Sequence, residues 1–381
     1  NQNITFNKII APINRKKFKV IVHKYFGDVA VKSFSCWQQF IAVLFGQLSE
    51  SRSLREIETG LNCNENLHYH LGISRISRST LSYANRTRDW RIFRDLFFDL
   101  IEELQQKDII QTKDVVSLID STPIMLLKRG HKWAESTMKI TGLKVHLVYN
   151  LSSGIPTYFE ITGARTNDVN VSRTLEIQRG FTYVFDKGYT DYNWWYEINS
   201  CGAFFVTRLK KNAKTKVLQE NSCQGNILQD EIILLSNQHP RGGKTNNYSQ
   251  TPLRRVVVNR ADKDTPLVLI TNDFKRSAEE IAELYKQRWQ IELFFKWIKQ
   301  NLKIKKFIGT NENAIRSQIC IALIGFVLLR LANILQTICK QISMKNLIVI
   351  VKNTMFVKER IYYKPNVYNK NQLLFNFVNS C

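Results

Sequence analysis

The sequence predicts an α/β protein, a mixed sheet covered by helices, with an all-helical region before it and a β-rich stretch inside it. Three observations carry this. Residues 1–107 repeat apolar positions at helical spacing between basic turns. From about residue 108 short apolar runs end in turn residues, as at 115–119 before Asp120-Ser121-Thr122-Pro123 and at 182–185 before Asp186-Lys187-Gly188. Helical patterns then alternate with such runs, at 168–178 and 192–199.

In chain order, residues 37–48 have helical periodicity, and Ser53-Leu-Arg-Glu56 has the spacing of a capping box opening the next helix. Residues 62–72 read as a loop. The stretch 76–88, with Ser79, Thr80, Arg86 and Arg88, is a helix whose polar start either reaches nucleic acid or is an ordinary capped surface. Strands follow at 115–119, 142–149 and 155–161, a three-strand meander, then at 182–185 and 203–207. Residues 209–265, opened by four lysines between 210 and 216, read as a β-rich insertion, and 267–271 as the strand leading out of it. The expected division is 1–107, helical; 108–310, sheet-bearing, with the insertion at 209–265; and 311–381, helical and basic.

Composition narrows the class of function. With 44% hydrophobic residues and 11% aromatics the chain folds. A net charge of +23 calls for a polyanionic partner, nucleic acid or an anionic membrane. The longest apolar run, 319–329, is shorter than the ~20 residues a membrane span needs and reads as a core helix. From 293 to 381 there are fourteen Lys and Arg against Glu312 and Glu359, a candidate nucleic-acid face. Seven scattered cysteines without a CxxC pair imply reduced, buried thiols in a cytoplasmic protein, with neither zinc nor a disulfide framework. No signal peptide is visible, and because the first residue is Asn1, an N-terminal piece is expected to be missing.

The most specific pattern is 285–299. On one helix at about 100° per residue, Tyr285, Arg288, Glu292 and Lys299 fall within a narrow stripe, flanked by Lys296 and Trp289. One acid among three cations is a poor solvated pair, since Arg precedes Glu in the less favourable order. The stripe instead suits a polyanion beside a metal ion. Asp120 and Asp186, each ending a strand, complete a set of three acids. Strand-end Asp residues often only cap turns. Three carboxylates from adjoining strands and a packing helix could hold two Mg²⁺ ions about 4 Å apart, with Mn²⁺ as substitute.

These residues together resemble a family. Asp120-Ser-Thr, Asp186-Lys-Gly-Tyr189-Thr-Asp191-Tyr and Tyr285-x2-Arg288-x3-Glu292-x6-Lys299 are similar to the DDE transposases of insertion-sequence family four, the last being its Tyr-Arg-Glu-Lys signature. The region around Ser79-Thr80-Leu81 and Trp90-Arg-Ile-Phe93 looks like the helical domain that precedes the core in many members. The resemblance implies a ribonuclease H-like core with a β insertion between the second Asp and the Glu. It implies Asp120, Asp186 and Glu292 as catalytic, metal-binding residues. Tyr285, Arg288 and Lys299 would contact phosphates, with Lys187 and Lys296 adding charge and Trp289 stacking on an extruded base. Lys187 stands where many relatives have Arg, which keeps the charge but not the bidentate geometry.

The implied activity is cut-and-paste transposition. The protein would bind terminal inverted repeats, cut at the element ends and join the 3′-hydroxyls to target DNA, as a homodimer in the bacterial nucleoid and without a membrane. Two rivals stand beside it: a nuclease on the same core that never joins strands, and a transposase-derived, non-catalytic repressor. Other conspicuous residues read blandly. His146 is expected to be packed, His68 and His70 to lie on the surface, and Trp194 and Trp195 to pack a helix on the sheet, while the side on which Lys144 lies stays open.

Overall fold

A computed structural model describes residues 3–126, 130–134, 141–238, 245–260, 264–302 and 307–358. It divides into two compact units: residues 1–109, 123–143 and 293–381 form one, and 110–122 with 144–292 the other. Gly242, Gly243, Cys381 and the basic residues beyond 358 lie outside the described residues.

The first unit is mainly helical. It holds α1 (Thr5–Ile10), α2 (Arg15–Lys24), α3 (Cys36–Leu48), α4 (Leu54–Asn62), α5 (His68–Leu71), α6 (Arg78–Thr87), α7 (Arg91–Gln106), α12 (Glu312–Ile334) and α13 (Met344–Thr354). Helix α3 is buried along its whole length, its glutamines included, and a Ser35–Gln38 capping box starts it. The box expected at Ser53 is half made. Ser53 accepts from Glu56 N, but the Glu56 carboxylate turns to Arg52 N at 2.7 Å.

Helix α12 has 23 residues, longer than its uncharged run, and so is long and apolar enough to cross a membrane. Its apolar stretch is 89% buried, packed against α1, α3, α6, α7 and α13. It is the core helix that the sequence suggested. His68 is a correction: it is buried, with Nε2 2.9 Å from the Leu61 carbonyl, because the segment read as a loop contains α5. The cysteines are another, since among the described residues Cys63, Cys201 and Cys223 are exposed free thiols and Cys36, Cys320 and Cys339 are buried.

The second unit is built on one nine-stranded sheet. Its strands are β1 (Val116–Met125), β2 (Gly142–Asn150), β3 (Ile155–Gly163), β4 (Thr182–Phe185), β5 (Phe204–Arg208), β6 (Thr215–Glu220), β7 (Ile227–Leu235), β8 (Leu253–Val258) and β9 (Leu267–Thr271). The order is β3-β2-β1-β4-β5-β9-β8-β7-β6, with β1, β4 and β5 parallel and β5 to β9 antiparallel. Strands from the stretch read as an insertion thus prolong the same sheet.

Two local expectations fail here. β1 does not end at Asp120. It runs on to Met125 beside β2, and Leu126 N still donates to the Thr141 carbonyl at 2.8 Å. β4 stops at Phe185, so beyond Ile119 its pairing with β1 lapses, and there Pro123 does not interrupt that ladder. The helix expected over 168–178 is only α8 (Asp168–Ser172). Ser172 and Thr174 hydroxyls donate back to the Val169 and Val171 carbonyls, competing with further helix.

Helix α9 (Tyr192–Ser200) lies against the sheet through Trp194 and Trp195, with ring centroids 4.8 Å from Phe185 and 5.3 Å from Phe205. Gly202, at φ +72°, closes α9 and lets Ala203 N reach the Ile198 carbonyl before β5 begins.

Candidate functional site

Register sets the site's first row. Ile119 pairs with Phe185 and Val184 with Val206, so the same offset aligns Asp120, Asp186 and Arg208 across three parallel strands. Neighbouring strands lie about 4.8 Å apart, which puts the two acids side by side on one face. Arg208 Nη1 is 3.8 Å from Asp186 Oδ1. The sequence reading missed Arg208 because it ended that strand at 207. Asp186 and Arg208 each lie four residues beyond Thr182 and Phe204, but that these two face each other is a matter of register, which the sequence does not mark.

The third acid comes from the segment read as one helix. It is two, α10 (Ala278–Gln287) and α11 (Trp289–Asn301), parted at Arg288. Arg288 N donates to the Tyr285 carbonyl and Ile291 N to the Arg288 carbonyl, both i to i−3 bonds of a tightened turn. A Ser277–Glu280 capping box anchors the start of α10. At the turn, Arg288 Nη2 donates to Glu292 Oε1 at 2.5 Å while Nη1 lies 3.8 Å from Asp120 Oδ2. The i,i+4 pair that its order disfavours therefore does form, because the same guanidinium also serves Asp120.

Tyr285 is also relocated by the structure. It is buried, and its hydroxyl donates to Asp186 Oδ1 at 3.1 Å. It orients an acid from the helix side. Lys187 and Lys296 are exposed, Lys299 is half-buried, and Trp289 is 54% exposed with its indole open to solvent. Lys296 and Lys299 fall in the part of α11 that belongs to the helical unit.

The electrostatics are strained in one direction. Burial pushes the Asp120 carboxyl up to about 6, against the pull of the Ser121 N–H and Arg288, and Glu292 and Asp168 push it further. Burial and then Asp186 raise the Tyr285 hydroxyl to about 12, so it stays a donor at neutral pH. Burial pulls Arg288 down, but its bond to Glu292 leaves it above its ordinary value. Crowded carboxylates of this kind are hard oxygen donors that a divalent cation would relieve, and in kind they fit one. Among the described residues no three His, Cys, Asp or Glu side chains converge on a single point, and Arg288 is the cation that Asp120 and Glu292 share.

A second polar group, whose acid Asp168 the sequence did not single out, gathers beside Ser121 next to Asp120 in β1. Lys144 and His146 of β2 turn toward Asp168 at the start of α8, which settles the side on which Lys144 lies. His146 is packed as expected, with Nε2 2.9 Å from Thr162 Oγ1. In the helical unit, α6 exposes Arg78, Ser79, Thr80, Ser82, Tyr83 and Arg86 along one side.

Comparison with known proteins bears on this geometry. The profile described as Transposase DDE domain matches residues 111–328, and a Domain of unknown function (DUF4372) matches residues 1–74. The Sinorhizobium fredii protein y4zB, named as a transposase, is 43% identical over 258 residues, covering 66% of this chain and 70% of its own. A Geobacillus stearothermophilus protein, named as the transposase of insertion sequence element IS5377, is 28% identical over 68% of each chain. A Synechocystis protein, named as the transposase of insertion sequence element IS4SA, is 29% identical over 66% of this chain and 71% of that one. A solved piggyBac transposase synaptic complex with hairpin DNA aligns with 97% of this chain and 82% of that one at 15% identity and a TM-score of 0.45, too low to bear on the fold. The profile match spans all three acids and more than half of the chain: this protein belongs to the transposase DDE domain family and is a DNA transposase.

Proposed function

We propose that this transposase belongs to insertion-sequence family four, binds the terminal inverted repeats of its element and moves it by cleavage and strand transfer. The observation that carries the reading is the Arg288 bridge, which ties Glu292 of α11 to Asp120 of β1 while Asp186 stands one strand away. The order β3-β2-β1-β4-β5, with the last three parallel, supports a ribonuclease H-like core for the acids.

Asp120, Asp186 and Glu292 are the catalytic carboxylates in this account and would hold Mg²⁺, or Mn²⁺ in its place. Such a cation supplies Lewis acidity at the phosphodiester and lowers the pKa of an attacking water or 3′-hydroxyl. The chain's own residues do the rest. Tyr285 fixes the rotamer of Asp186 through its hydroxyl. Arg288, Lys187, Lys296 and Lys299 hold phosphates near the cleaved strand, and exposed Trp289 stacks on a base extruded from the duplex. Residues 1–107 bind the element end, with the exposed side of α6 as the face that meets DNA. Synapsis of two ends needs a homodimer, and the place of action is the bacterial nucleoid.

A strand-transfer assay tests the proposal. A labelled DNA carrying the element end with a 3′-hydroxyl is incubated with supercoiled plasmid, protein and Mg²⁺. Covalent joining of label to plasmid is expected. Nicking without joining would make this protein a nuclease on the same core.

A further inference from the structure

Ser121 follows Asp120 in β1, so its side chain turns to the opposite face of the sheet. Its backbone N–H donates to Asp120 Oδ1 at 2.8 Å, and its hydroxyl donates to Asp168 Oδ1, also at 2.8 Å. One residue thus links a catalytic carboxylate to a second acid from another element. Asp168 is itself held. Lys144 Nζ lies 3.1 Å from the same Oδ1 and donates to the Thr166 carbonyl at 2.8 Å. His146 Nδ1 approaches it at 3.5 Å, but burial draws that imidazole down to about 4, so Lys144 is the cation facing Asp168. The Asn167 side chain accepts from Val169 N and fixes the start of α8.

We infer that Asp168 is a positioning residue for strand cleavage, acting through Ser121 to hold the rotamer of Asp120. The inference rests on the catalytic reading of Asp120 given above. An acid whose only duty was to start a five-residue helix would need neither the Ser121 hydroxyl nor a lysine from β2. The Asp168–Lys144 pair stiffens an acceptor, the acceptor fixes the Ser121 side chain, and the adjoining N–H then reaches the Asp120 carboxylate from a set direction. A misplacement of 1 Å at a reacting group can cost about a hundredfold in rate.

The test compares Ser121→Ala, Asp168→Ala, Asp168→Asn and the Ser121→Ala/Asp168→Ala double variant in Mg²⁺-dependent cleavage of end DNA. DNA affinity and thermal melting are read alongside, with Asp120→Asn as control. Ser121→Ala and Asp168→Ala should each lower kcat by ten- to a hundredfold, with KM and DNA affinity within twofold of wild type. Asp168→Asn, which keeps an oxygen acceptor for Ser121, should recover most of the rate. The double variant should lose no more than Asp168→Ala alone, because both remove one link. Full activity of Ser121→Ala, or additive losses in the double variant, would overturn the inference. If Asp168→Ala does not fold, Ser121→Ala decides, since it leaves the Asp168–Lys144 pair intact. Cleavage by Asp120→Asn at the wild-type rate would overturn the reading of the site itself, a result distinct from a dead Asp120→Asn beside a normal Ser121→Ala.

Discussion

Two sets of acids lie on or against the same sheet, and their surroundings treat them in opposite ways. In the outer strand β7 the two buried acids each have their own arginine. Asp230 of β7 receives both Nε and Nη2 of Arg254 at 2.8 Å, and Glu231 receives Arg255 Nε at 2.6 Å. Both pairs join β7 to β8, and their acids are buried. At the inner strands Asp120 shares Arg288 with Glu292 of α11, and Asp186 has a tyrosine hydroxyl and an arginine 3.8 Å away. The outer set is matched in charge and geometry, so it holds the sheet together and is chemically finished. The inner set has three acids against two arginines at mixed distances. It is costly to the fold and suited to a further cation. Incomplete pairing is what separates the inner acids from the outer ones, and in the proposed account it marks the site.

Breaking each set should therefore have different consequences. The largest effect is expected from Glu292→Gln, with loss of DNA cleavage by about a thousandfold or more while end DNA is still bound, measured by gel cleavage and by mobility shift. Next, Asp230→Ala leaves buried Arg254 unpaired and should lower unfolding stability by about 3–5 kcal/mol in denaturant melts. Replacing Asp230 and Arg254 together with apolar residues should recover most of that loss. If Asp230→Ala melts like wild type, the outer pairs are not struts.

A smaller effect, of opposite sign, is expected from Asp120→Asn in metal-free protein. The folded-state pKa of Asp120 is raised from 3.8 to about 6, so the folded chain binds the extra proton and loses stability as pH rises from about 4 to 6. The neutral variant should then be more stable than wild type at pH 7.5, by roughly 1–3 kcal/mol, and converge with it near pH 4. A variant less stable at pH 7.5 would show that Arg288 fully compensates the charge. The smallest effects are those of Arg288→Ala and Lys299→Ala on DNA binding. Each should reduce the salt slope by about one. An unchanged slope in both would remove them from the phosphate face.

The strand that ends before Asp186 and the helical segment that bears Glu292 were legible because turn residues and helical spacing are local signals. The Tyr285 to Lys299 spacing was legible too, but its meaning shifted. A wheel at fixed pitch cannot anticipate the turn at Arg288, nor that Tyr285 faces Asp186 and not solvent. Arg208 and Asp168 were illegible for a related reason. Their roles come from register between strands and from α8 meeting β1 and β2, pairings that no single segment encodes. The length of β1 was misjudged because Asp-Ser-Thr-Pro is a strong turn signal in isolation, and the β2 ladder overrides it. The outer strands were seen as strands, but sequence has no local mark for joining the same sheet through β9.

The most direct measurement is cleavage of a plasmid carrying this gene with its native flanking DNA, with Mg²⁺, comparing wild type, Glu292→Gln and Asp230→Asn. The account predicts paired cuts at the flanks with 3′-hydroxyl ends for wild type and for whatever fraction of Asp230→Asn is folded. It predicts none for Glu292→Gln, although that variant still binds the ends. Flank cleavage by Glu292→Gln at the wild-type rate would contradict it, and the incompletely paired acids would then not be the catalytic ones.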